Sequence, residues 1–127
     1  MSGPLVVVMT DRDRVPLPQL SARLERLEAG IARVVVILRE RDLGRSERER
    51  LGRDLARRCA RANARLVVAD DLALGRELGA GAHLKSDRVD LAEVRAELGL
   101  EAWISIGAHT AEQVPLLAGQ GASAVLL

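Results

Sequence analysis

The stretch that decides the fold is Val34-Val35-Val36-Ile37-Leu38-Arg39-Glu40-Arg41-Asp42-Leu43. Five consecutive apolar residues, four of them β-branched, are too few for a helix and read as a strand buried on both faces. The run then ends abruptly in charge. Side chains alternate along a strand, so Val35, Ile37, Arg39 and Arg41 share one face, and Val36, Leu38 and Glu40 the other. Two guanidinium groups at the end of a buried strand suit an anionic ligand, because each presents a fork of donors that matches phosphate. The competing reading is structural: both arginines end the strand in solvent, or pair with Glu40 and Asp42.

Working outward, the pattern repeats. Leu5 to Met9 reads as strand 1, ending in Thr10-Asp11-Arg12. Pro16 and Pro18 mark a connection. Leu20, Leu24, Leu27 and Ile31 recur at helical spacing, with Gly30 as the stop. After the deciding stretch, Ser46 with Glu49 reads as a capping box opening a long helix, whose apolar stripe is Leu51, Leu55, Cys59 and Ala62. Leu66 to Ala69 is strand 3, followed by Asp70-Asp71, a short helix to Leu78 and a stop at Gly79. Ala82 to Leu84 is strand 4. Asp90 caps a helix that ends at Gly99. Trp103 to Ile106 is strand 5, followed by Gly107-Ala108-His109-Thr110. Thr110 with Gln113 resembles another capping box, with Pro115 in its first turn and Gly119 and Gly121 at its end. Ala124 to Leu127 begins strand 6. Strands alternating with helices indicate βαβ units, a parallel sheet and a single α/β domain over 1–127. Either the chain is a fragment of a longer protein, or its last strand closes a small, flavodoxin-like doubly wound sheet.

Composition removes several function classes. The chain has 127 residues and a formal net charge of +1, a field too weak to gather a nucleic acid or an anionic membrane. Phe and Tyr are absent and Trp103 is the one aromatic, so there is no platform for stacking bases. The arginines of the long helix are interleaved with Glu47, Glu49 and Asp54 and read as a solvated face. Cys59 stands alone, which leaves no disulfide framework and no cysteine metal site. The N-terminus lacks a basic region and a long apolar run, so a cytoplasmic protein is expected.

Polar residues gather where the strands end: Asp11, Arg39, Arg41, Asp70, Asp71, His83, Lys85 and His109. In parallel α/β folds those ends form the ligand-binding rim. Each has a plain alternative: Asp70 or Asp71 as a helix cap, His83 as a partly buried core residue, Lys85 as a solvated loop residue, His109 as a helix-start residue. No glycine-rich phosphate loop, zinc spacing or nucleophile elbow is present.

Six segments in order carry a resemblance: Val-Met-Thr-Asp-Arg (8–12), Val-Ile-Leu-Arg-Glu-Arg-Asp-Leu (36–43), Leu-Val-Val-Ala-Asp (66–70), Leu-Gly-Ala-Gly-Ala-His-Leu (78–84), Ile-Gly-Ala-His-Thr (106–110) and Gly-Ala-Ser-Ala-Val (121–125). Together they resemble the thiamine-phosphate synthase and TenI group over essentially the whole chain. The resemblance implies a (β/α)8 TIM barrel, here incomplete, with about five βα units plus strand 6. It implies a protein of thiamine biosynthesis handling phosphorylated thiazole and pyrimidine. Synthases of the group join a pyrimidine diphosphate to a thiazole phosphate with Mg²⁺ held by carboxylates. In their strand-2 pattern Gln-x-Arg-x-Lys, Ile37 stands for the Gln, Arg39 is kept and Arg41 replaces the Lys. Ala69-Asp70 stands for their Asn-Asp, with Asp71 a shifted candidate. A second metal-binding Asp falls at Asp87 or Asp90, and Gly107-Ala108-His109 stands for Ser-x-His. Asp70 is thus the implied metal ligand. TenI-like tautomerases shift a proton on thiazole carboxylate phosphate and need no metal or other cofactor. Their implied acid–base matches His109, and imidazole can take and return a proton near neutral pH.

The expectation places a TenI-like tautomerase ahead of a synthase. His109 is the catalytic residue, and Arg39, Arg41, Asp11 and His83 bind substrate or phosphate. Its rival is a non-catalytic phosphorylated-ligand-binding or signalling module. Asp11, Asp13 and Asp70 imitate a receiver's acidic residues, but no lysine follows strand 5. Whether two copies pair to complete a barrel, as a homodimer, is left open by the sequence.

Overall fold

In a computed structural model the chain is described over residues 5–27, 33–86 and 90–127. Gly30, Ile31 and Asp87 lie outside these residues. The chain falls into two compact units, Met1–Leu66 and Val67–Leu127.

The first unit runs β1 (Leu5–Met9), α1 (Leu17–Leu27), β2 (Arg33–Leu38) and α2 (Arg45–Arg61), then enters β3 (Arg65–Ala69). β1 and β2 are parallel neighbours, from Leu5 opposite Arg33 to Met9 opposite Ile37. The Thr10 N–H continues the ladder onto the Ile37 carbonyl at 2.9 Å. Val34 to Leu38 are all buried, as a continuous apolar run in a parallel pair demands. Leu20 and Leu24 carry the apolar face of α1, and Leu51, Leu55 and Cys59, followed by the C-cap Ala62, that of α2.

The second unit runs from Val67 of β3 through α3 (Leu72–Leu78), β4 (Gly81–Lys85), α4 (Leu91–Leu98), β5 (Ile104–Gly107), α5 (Gln113–Gly119) and β6 (Ala124–Leu126). Each strand pairs in parallel with the next: Ala69 with His83, His83 with Ser105, Ser105 with Ala124. Each crossover carries a helix, which is what parallel neighbours require. β4 and β5 approach so closely at Gly81 that a Cβ there would collide with the Trp103 carbonyl oxygen. The Arg95 guanidinium ties three loop carbonyls, Leu100, Ala102 and Gly121, at 3.0, 2.5 and 3.1 Å.

Helix ends follow local chemistry with two corrections. Asp71 caps α3 by accepting from Leu74 N at 3.0 Å, and Asp90 caps α4 by accepting from Ala92 N and Glu93 N. Gly79 closes α3 with φ +62°, a conformation that costs glycine nothing. The Ser46–Glu49 capping box does not form: the N-cap is Gly44, and Glu49 pairs with Arg45 one turn back at 3.1 Å. The Thr110–Gln113 box is likewise not the cap of α5. Its N-cap is Glu112; of the box only the back-bond forms, Gln113 Oε1 accepting from the Thr110 N–H, and the same oxygen accepts from the His109 N–H. Pro115 sits in the first turn of α5, where its missing N–H has no helical partner to lose.

Candidate functional site

The rim of the first unit is built where β1 and β2 end. Thr10 is buried, and its Oγ1 accepts from the Arg39 N–H at 3.0 Å, fixing the backbone of the first residue beyond β2. Glu40 folds inward and is buried. Its Oε1 receives the Arg12 guanidinium at 3.0 Å and the Arg12 N–H at 3.3 Å, while Oε2 is buried with no partner among the described residues. The same guanidinium forks onto Asp42, with Nη2 2.7 Å from Oδ2 and Nη1 3.4 Å from Oδ1. This hydrogen-bonded pair holds the Asp42 carboxyl below its ordinary range and raises the Arg12 guanidinium above its own.

These contacts answer one question the sequence left open. Glu40 and Asp42 do not pair with Arg39; both are engaged by Arg12. Arg39 is exposed, makes no ion pair among the described residues, and lays Nη1 3.5 Å from Met9 Sδ. Arg41 is exposed on the same rim. Asp11 lies beside them and its Oδ2 is 3.5 Å from Arg14 Nε. It also lines a cavity of about 180 Å³ with Val8, Thr10, Leu20, Arg23 and Leu24.

The rim of the second unit centres on His83. Its Nδ1 lies 2.7 Å from the hydroxyl of Ser105, which is fully buried opposite it on β5. That contact fixes the ring, and a Cβ on Gly107 would sit 3.6 Å from its Nε2. Asp70 is exposed at the end of β3 in the left-handed region, φ +54°, which Asp tolerates better than most residues. Its N–H donates to the His83 carbonyl at 2.9 Å, so the ends of β3 and β4 are laced together. Lys85, one strand repeat beyond His83, is exposed opposite Gly107. His109 is exposed two residues after β5, with its backbone held by Gln113 at 2.7 Å.

The structure therefore brings Asp11, Arg39 and Arg41 onto one rim, and Asp70, His83, Lys85 and His109 onto another. Sequence reasoning missed Arg12, Thr10 and Ser105. The first two come from the short segment after β1 and act across some thirty positions. The third was legible as a hydroxyl inside an apolar strand, a residue that needs a partner when buried.

A Mg²⁺ ion is the cofactor the resemblance implies. Among the described residues no three His, Cys, Asp or Glu side chains gather as a metal site, and Asp71 is committed to capping α3. The donors described thus do not compose a cation cage. No described helix is long and apolar enough to cross a membrane.

Comparison with known proteins follows the same line. Residues 5–127 match the family model described as Thiamine monophosphate synthase. A thiamine-phosphate synthase from Thioalkalivibrio sulfidiphilus is 39% identical over 94 residues, 73% of this chain and 44% of that protein. One from Erythrobacter litoralis is 37% identical over 101 residues, 77% of this chain and 47% of that protein. A thiamine phosphate pyrophosphorylase from Pyrococcus furiosus superposes with a TM-score of 0.74 at 20% identity, over 96% of this chain and 58% of that one. The chain thus spans about half the length of the curated relatives it matches. Its fold is the TIM-barrel type, incomplete at five βα units plus a sixth strand, and not the flavodoxin-like sheet.

Proposed function

The chain belongs to the thiamine monophosphate synthase family, and on that premise we propose that it binds a phosphorylated thiazole through Arg39 and Arg41. The observation that supports this most directly is the engagement of Glu40 and Asp42 by Arg12, which leaves the neighbouring Arg39 without an ion pair among the described residues. An exposed guanidinium at a strand end is a ready partner for a phosphate oxygen. Asp11, on the same rim, adds a ligand contact in this reading, and on the rim of the second unit His83 is proposed by itself as a substrate-binding residue.

The reaction proposed first is a tautomerisation. His109 takes a proton from one position of the thiazole ring system and returns it at another. An imidazole does both near neutral pH, and the shift requires neither diphosphate nor metal. The second reading is synthase, and the names of the two curated relatives favour it. There the same arginines would hold phosphate groups during transfer of the pyrimidine. The described carboxylates offer that reaction no ready metal cage, so no step is assigned to a metal.

One pair of assays tests both. The protein encoded by the complete gene is incubated with thiazole carboxylate tautomer phosphate alone, and separately with the pyrimidine diphosphate, thiazole phosphate and Mg²⁺. Isomerisation in the first, lost in His109→Ala, supports the tautomerase. Product only in the second assigns the synthase. Turnover in neither sinks both enzymatic readings and leaves a binding module.

A further inference from the structure

We propose that Arg12, through Glu40 and Asp42, positions the anion-binding arginines, an inference that rests on Arg39 and Arg41 being the anion site. Three of four consecutive residues at the end of β2 are tied to the segment just after β1. Arg39 is held by its N–H on Thr10 Oγ1 at 3.0 Å. Glu40 is held by its carboxylate on the Arg12 side chain and main chain, at 3.0 and 3.3 Å. Asp42 is held by the fork of the same guanidinium, at 2.7 and 3.4 Å. Arg41 lies between two tethered residues, so the backbone that aims both rim guanidiniums has little freedom.

A second observation separates this from an ordinary ion pair. Glu40 is buried beside Arg39 and Arg41, yet its Oε2 has no partner among the described residues. Burying half of a carboxylate unsatisfied opposes stability. Its negative charge also lies next to a site that is to receive anions, where on charge alone it weakens binding. An arrangement unfavourable on both counts is accounted for by geometry: it turns the chain at the rim and spends Arg12, not Arg39, on neutralising the carboxylates.

Charge and positioning predict opposite signs, which gives the test. Binding of inorganic diphosphate to the chain is measured by calorimetry at about 0.15 M salt, where exposed long-range charge is screened. Asp42→Ala removes an exposed negative charge, so charge alone predicts equal or tighter binding, and positioning predicts weaker. The expected loss is about 3- to 10-fold, the weight of one oriented charge-assisted hydrogen bond. Arg12→Lys keeps the charge but not the fork, and is expected to lose a similar factor. Melting curves confirm that each variant is folded, and exposed Asp42 gives the variant least able to disturb the core. Unchanged or tighter binding in Asp42→Ala overturns the positioning role. Absence of diphosphate binding in the parent chain, or binding indifferent to Arg39→Ala, instead overturns the anion site and the positioning role with it.

Discussion

Gly81→Ala is the sharpest test of the second unit. A Cβ at this position would overlap the Trp103 carbonyl oxygen and lie 3.0 Å from Trp103 Cβ. Neither obstacle is the tip of a flexible side chain, so β4 and β5 must part. Overpacking of this kind costs ~1–3 kcal/mol. The hydrogen bond from Ala82 N to Trp103 O, 2.9 Å long, is strained by the same movement. Losing much of it adds about 0.5–1.5 kcal/mol. The sum, roughly 2–4 kcal/mol, is a large part of the stability of an ordinary domain. Urea denaturation followed by far-UV circular dichroism should show the midpoint falling by on the order of 1–2 M, with the slope preserved. Two controls bracket the effect. Gly79→Ala meets no atom within 4 Å and pays only for φ +62°, about 1 kcal/mol. Gly107→Ala makes an ordinary contact, 3.6 Å from His83 Nε2, and should be nearly neutral. A Gly81→Ala midpoint within about 0.3 M of the parent would refute the close approach of β4 and β5.

Other expectations concern the first unit. Thr10→Val deletes the acceptor of the Arg39 N–H and should cost ~1–3 kcal/mol in chemical denaturation, with Thr10→Ser recovering most of it. The Cys59 thiol is buried in α2 and its pKa is pushed up to about 11 by desolvation, so an aromatic disulfide reagent at pH 8 should label it only as fast as the chain unfolds. That shift also has a sign. The unfolded thiol ionises first, so stability falls as pH rises through and above about 9, and Cys59→Ser should flatten that slope. Asp42 is shifted the other way by its hydrogen bond with Arg12. Its contribution is present above its ordinary value of 3.8 and lost as pH falls through and below it, so parent and Asp42→Asn stabilities should converge in acid.

What was legible in the sequence was what is local. The run Val34–Leu38 named β2 because a strand buried on both faces needs no alternation, and the spacing of Leu51, Leu55 and Cys59 named the inner face of α2. Asp71, Asp90 and Gly79 stand where capping chemistry puts them. The failures have two causes, competition between local motifs and contacts distant in sequence. The Ser46–Glu49 box is a local motif that lost to another local pair, Arg45–Glu49, and the helix began two residues early. Arg12 reaches Glu40 and Asp42, 28 and 30 positions away, and no periodicity carries that information. His83 and Ser105 were each visible as polar residues on apolar strands, but their pairing depends on the β4–β5 register, which is fixed only on folding. The candidate site was therefore readable as a set of residues and unreadable as a set of contacts.

The division into two compact units has a practical consequence for anyone who unfolds this chain. With no Phe or Tyr, all intrinsic fluorescence comes from Trp103, at the entry to β5 in the second unit. The single thiol, Cys59, lies in α2 of the first. Emission thus reports one half of the chain, and thiol labelling the other, without any engineered dye. Run side by side across a urea gradient, the two signals reveal whether the halves melt in concert or one after the other. Coincident curves mean one cooperative block. Separated curves mean that a single emission midpoint, quoted for the whole chain, describes only half of it.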